Sequence, residues 1–233
     1  MASTFPAQRT PPSQAATEAH LAIRRVALIA MLAIAFGFLM QALILTAKLL
    51  GGAAFPGVLL LVDLAQGVTW AFLVCLGVGI GTSILKARAL LAGIIAALFA
   101  PISLAIAKSS QKVMATVLGA ADQPALLPLA TISVLRAIEY GILGWLLAKL
   151  TQKDVTKPMP YLGAGTAIGA TFGLAISWLT YQAAVANGVS PGPPQIAATL
   201  LNEVVFPIGC AFLIYVGQSV GRSLKLVGEP SLT

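Results

Sequence analysis

The chain has 233 residues, of which 58% are hydrophobic and 9% charged, against about 25% charged residues in soluble domains. That balance excludes an ordinary soluble domain, and the polar stretches between the apolar runs are too short to bury a core of their own. The net charge of +7 does not describe a nucleic-acid surface either, because the basic residues flank apolar runs instead of clustering on one polar face.

Residues 1–19 are rich in Pro, Ser, Thr and Ala and lack the apolar content that supports order, so they are expected to form a flexible tail. Arg24 and Arg25 introduce an apolar run that continues to about residue 50. It is too long for the apolar region of a secretion signal and is expected to be a retained first span. Five more runs follow, at about 56–85, 88–107, 125–150, 161–185 and 196–220. Each is long enough to cross a hydrocarbon core of roughly 30 Å. The fold class expected is therefore an all-α integral membrane protein with six transmembrane helices over residues 20–222, followed by a short tail, 223–233. Residues 108–124 are half polar and are expected either to extend the third helix or to lie along the interface. Pro101 and Pro207 are expected to bend the third and sixth spans.

Lys and Arg set an orientation. Ten of them (Arg9, Arg24, Arg25, Lys86, Arg88, Lys149, Lys153, Lys157, Arg222 and Lys225) fall on one side, and three (Lys48, Lys108 and Lys112) fall on the other. The richer side is cytoplasmic by the positive-inside rule, which places both termini there; with the small size this leads to the expectation of a bacterial cytoplasmic membrane, and a thylakoid or other inner membrane fits equally.

The even spans share a pattern. Gln66, Arg136 and Asn202 are each followed four residues later by an aromatic, namely Trp70, Tyr140 and Phe206. The odd spans align on Phe36, Phe99 and Phe172, which lie eleven residues after Arg25, Arg88 and Tyr161. The distance from phenylalanine to polar residue is 30 in the first and third units and 37 in the second, with the extra seven in the polar 108–124 segment. This periodicity suggests three pseudo-repeated helical hairpins at about 21–85, 86–152 and 158–222, related by an axis along the membrane normal.

Charges inside a span are costly and mark function by default. Arg136 and Glu139 are three residues apart on one helix face and can pair. Asp63, Gln66, Asn202 and Glu203 are the other polar candidates within spans. With Asp63, Glu139 and Glu203 ionised against Arg136, the sum inside the spans is −2, so one or more of the acids is expected to carry a proton. These six residues suggest the polar path of a small transporter or channel subunit for an ion, proton or small solute. The same groups would also serve as a satisfied network in a non-transporting subunit of a larger membrane complex. Gly165, Gly169 and Gly173 form a small-residue stripe for helix packing, within the chain or against a second copy.

No enzymatic constellation is present, so no catalytic residues are assigned. Cys75, Cys210 and the lone His20 do not form a metal-binding set. Gly77, Gly79 and Gly81 lack the strand–turn–helix setting of a dinucleotide site, and no cofactor is expected. The expected partners are bilayer lipid and, as alternatives, a second copy or another membrane subunit.

Overall fold

A computed structural model describes residues 14–84, 88–120 and 127–228. Its elements are α1 (Gln14–Leu50), α2 (Leu59–Ile84), α3 (Ala89–Val117) and α4 (Leu129–Gln152), followed by two interrupted helices. The fifth span consists of α5 (Pro158–Ile168), a π-helical turn (Gly169–Gly173) and α6 (Leu174–Ala186). The sixth consists of α7 (Pro193–Leu200), a second π-helical turn (Leu201–Val205) and α8 (Phe206–Gly228). Six helices are thus long and apolar enough to cross a membrane, and the chain is an all-α integral membrane protein. Helix is the outcome that this composition dictates in a bilayer, where each backbone donor and acceptor must be satisfied within its own segment.

The boundaries differ from the expected ones at a few ends. The first helix has begun by Gln14, inside the stretch expected to be a tail, and residues 1–13 lie outside the described residues. The third helix absorbs residues 108–117 of the polar segment, while 121–126 lie outside the described residues. The last helix continues to Gly228, beyond which the expected C-terminal tail also lies outside them. Helix stops follow local chemistry. Gly52 (φ +88°) and Gly188 (φ +75°) adopt the left-handed conformation that ends the first and fifth spans. Pro158 and Pro193 open the fifth and sixth spans at positions where no amide donor is needed.

The even spans meet one another at the centre of the bundle. Each odd span sits in a groove between its own partner and another even span: α1 between α2 and α8, α3 between α4 and α2, and α5 between α8 and α4. Three aromatic residues of the even spans converge there. Trp70 and Tyr140 are edge to face with ring centroids 5.6 Å apart, and Phe206 lies 6.1 Å from Trp70 and 6.3 Å from Tyr140. Phe36 from α1 closes on Phe206 at 5.2 Å. The outer surface is apolar, with Met31, Phe38, Leu98, Ile102 and Trp178 each more than half exposed, as suits side chains facing lipid.

Cys75 of α2 and Cys210 of α8 are both free and fully buried in this core, and their thiols lie against each other. A membrane-permeant oxidant such as iodine should therefore consume both thiols within one chain. The expected readout is loss of maleimide labelling in the denatured protein without a disulfide-linked dimer. Two thiols still reactive after oxidation would place the second and sixth spans apart.

Candidate functional site

The charged cluster is built on α4. Arg136 lies seven residues into that helix, about 10 Å from its end at 1.5 Å per residue. One turn further on, Glu139 projects from the same face, and Arg136 Nη1 donates to Glu139 Oε2 at 2.8 Å. The other arm of the guanidinium, Nη2, lies 2.5 Å from Glu203 Oε2 of the sixth span. This second contact is an ion pair without the alignment of a hydrogen bond. Asn202 Nδ2 donates to Glu203 Oε1 at 3.1 Å. All three charged side chains are buried: Arg136 is 4% exposed, Glu139 0% and Glu203 7%.

The aromatic centre forms one wall of the cluster. Arg136 Cζ sits over the Trp70 ring at 5.1 Å from its centroid, which adds a cation–π attraction to the two ion pairs. Trp70 had no assigned role in the sequence reading. The signal that could have found it was its alignment in sequence with Tyr140 and Phe206, the two aromatic residues that it meets in the bundle.

Glu203 reaches Arg136 from the π-helical turn of the sixth span. Pro207 has no amide proton to give to the carbonyl four residues earlier, that of Glu203, so regular α-helical winding is interrupted there. A wide turn immediately before a proline is the local consequence. The fifth span carries its own π-helical turn alongside. A methyl group added at Gly173 would strike the Glu203 carbonyl, and one at Gly169 the Val204 carbonyl. At Gly165 it would stand 2.7 Å from the Pro207 carbonyl oxygen. The glycine stripe thus packs within the chain, bringing the fifth span against the backbone that presents Glu203.

Two of the six path candidates lie apart from the cluster. Asp63 faces Lys48, with Nζ 3.5 Å from Oδ2, and both side chains are partly exposed. Gln66 is half-buried and forms no hydrogen bond among the described residues. The glycines of α2 are packing positions. Gly77 faces Phe99, Gly79 faces Ile29 and Gly81 faces the Ala92 carbonyl.

With Asp63 balanced by Lys48, the central cluster holds one guanidinium and two carboxylates, a formal −1. Arg136 Nε, Glu139 Oε1 and the Tyr140 hydroxyl are buried there without a partner among the described residues. Buried polar atoms are rarely left so. Their concentration at one level leaves both donor and acceptor capacity of the cluster unused among the described residues. A cleft of about 660 Å³ opens between α6 and α7. Leu174 and Leu200 line it, one residue from Gly173 and three from Glu203, so it ends within a helical turn of the charged cluster. Ser177 and Thr199 also line the cleft, and the Ser177 hydroxyl is buried without a partner.

Comparison of the chain with known protein families, with characterised proteins and with solved structures returns no match. The functional reading therefore rests on the site itself.

Proposed function

We propose that the chain is a small membrane transporter or channel subunit that moves an ion, proton or small solute past the Arg136 cluster without transforming it chemically. The observation that carries this reading is the buried Arg136–Glu139–Glu203 cluster, which has a surplus carboxylate and unpartnered polar atoms. A cluster that served only to lock helices together would gain most from balanced charge and complete hydrogen bonding. This one has neither. Arg136 is the fixed charge, and Glu203 is the exchangeable carboxylate, because it lies nearest the cleft. Asn202 positions Glu203, Glu139 holds Arg136, and Gln66 and Asp63 lie further along the path on α2.

Three hairpins around a common axis form the scaffold for this path. Support comes from the order in which the odd spans pack between even ones and from the meeting of Trp70, Tyr140 and Phe206 at the centre. The distribution of Lys and Arg supports a cytoplasmic membrane with both termini inside.

The test is flux in proteoliposomes, with proton and sodium entry followed by internal dyes under an imposed potential. The wild-type protein should carry one of these ions above the rate of empty vesicles. Arg136→Gln and Glu203→Gln, once shown to insert, should fall to near that background. Variants that transport as well as wild type would remove the path. A silent wild-type protein that co-purifies with a stoichiometric membrane partner would favour the accessory-subunit reading.

A further inference from the structure

A second charged feature lies at the end of the bundle where the chain enters the first span and leaves the sixth. Arg25 of α1 is only 5% exposed. Its single hydrogen bond among the described residues runs from Nη1 to Gln218 Oε1 of α8 at 3.3 Å. Its guanidinium lies directly across Gly221, where any side chain would displace it. Among the described residues no carboxylate oxygen comes within 4 Å of Arg25. The nearby charge is of the same sign, since Arg222, half-buried on α8, is close enough to oppose it. Arg222 is held in place by donating to the Val155 carbonyl and the Ser219 hydroxyl, each at 3.2 Å.

An arginine cannot relieve this by losing its proton, and a buried cation without a counter-charge is strongly unfavourable. The neighbouring groups do not supply the missing charge. Arg25 Nε and the Gln218 amide nitrogen, both donors, are buried without partners among the described residues. The Ser83 hydroxyl of α2 is also buried and unpartnered. The register places it beside them. Gly79 of α2 and Gly217 of α8 both face Ile29, and Ser83, Gly221 and Arg25 each lie one helical turn from those residues toward the same end of the bundle. Unused donors from three helices, Arg25 Nε, the Gln218 amide and the Ser83 hydroxyl, therefore lie at one level near Arg222 and have no acceptor among the described residues.

We propose that Arg25, Gln218 and Arg222 form a binding site for a phosphate group. The planar guanidinium fork matches phosphate oxygens in pairs, and two guanidiniums suit its charge better than that of a halide. Depth agrees. Arg25 stands 25 residues before the end of α1 at Leu50, further than the roughly 20 residues that cross a hydrocarbon core. The helix therefore outruns the hydrocarbon core, and this level falls near the headgroups. The phosphate can belong to an anionic lipid or to a free anion.

The experiment uses the full chain, delipidated in an uncharged maltoside detergent and chloride-free buffer, with thermal unfolding as the readout. Inorganic phosphate and short-chain phosphatidylglycerol are titrated separately. The wild-type midpoint should rise with at least one of them. A response to phosphate alone identifies a free-anion site, and a response only to phosphatidylglycerol identifies a lipid site. Arg25→Gln should weaken the apparent affinity by at least about thirtyfold. Its midpoint without ligand should be no lower than that of wild type, because the substitution removes an unbalanced cation; a purely packing role for Arg25 would lower it. Arg24→Gln, at an exposed position on the same helix, should respond as wild type does. Arg222→Gln, at the rim, should also weaken binding and serves if Arg25→Gln does not fold. No rise with either titrant, or an equal rise in wild type and in the Arg25 and Arg222 variants, overturns the site.

Discussion

Arg136→Gln should destabilise the protein by about 3–5 kcal/mol, the usual cost of removing one partner from a buried ion pair. The substitution leaves Glu139 and Glu203 facing each other around an empty position, and the local formal charge falls from −1 to −2. The Trp70 ring also loses its cation, worth about 0.5–2 kcal/mol. By contrast, Glu203→Gln brings the local sum to zero and leaves the 2.8 Å Arg136–Glu139 bond in place, so its cost should be small. The two variants, measured by thermal or SDS-induced unfolding in the same detergent, should therefore differ by several kcal/mol despite touching the same contact. Loss of a hydrogen bond would not separate them, because interhelical hydrogen bonds in membranes average only about 0.6 kcal/mol. Charge imbalance would. Replacing Arg136, Glu139 and Glu203 together by Gln should recover much of the loss, since no net charge remains. Equal stability of Arg136→Gln and Glu203→Gln would show that the cluster is open to water and not buried as a unit.

Much of this arrangement was legible in the chain because it depends on short spacings. Apolar length specified six spans, the i, i+3 spacing put Arg136 and Glu139 together, and the four-residue spacing of Gly165, Gly169 and Gly173 marked a packing face. What was not legible depends on residues far apart. Arg25 meets Gln218 across 193 positions, a pairing that no local pattern encodes. Lys48 and Asp63 pair across the loop between two spans, a partner that a count of charges at span ends does not find. Glu203 joins the cluster while Gln66 stays outside it, although both stand at the polar level of an even span. The difference lies in Pro207 and the π-helical turn before it, which alter the direction of the side chains without altering the hydrophobic pattern. The aromatic residues illustrate the same limit. Spacing aligned Trp70, Tyr140 and Phe206, but only the assembled bundle stacks the Arg136 guanidinium over Trp70.

The glycine stripe yields the second large effect, through one substitution made at two positions. Gly163 and Gly169 lie in the same span six residues apart, and helix propensity alone favours alanine over glycine at both by about 0.5–1 kcal/mol. Gly163 faces open space with no atom within 4 Å of an added methyl group, so Gly163→Ala should be neutral or stabilising by about that amount. At Gly169 the methyl group would enter the Val204 carbonyl. That obstacle is backbone and cannot rotate away, so the fifth and sixth spans must separate. Overpacking of this kind costs about 1–3 kcal/mol, which exceeds the propensity gain and reverses the sign. The displaced backbone is the π-helical turn that carries Asn202 and Glu203, so the effect should reach beyond stability. In proteoliposomes Gly169→Ala should lose transport even where enough folded protein survives to reconstitute, while Gly163→Ala should transport as wild type does. If the two variants unfold at the same midpoint, the close approach of the fifth span to the backbone beside Glu203 is wrong, and with it the account of how that carboxylate is held against Arg136.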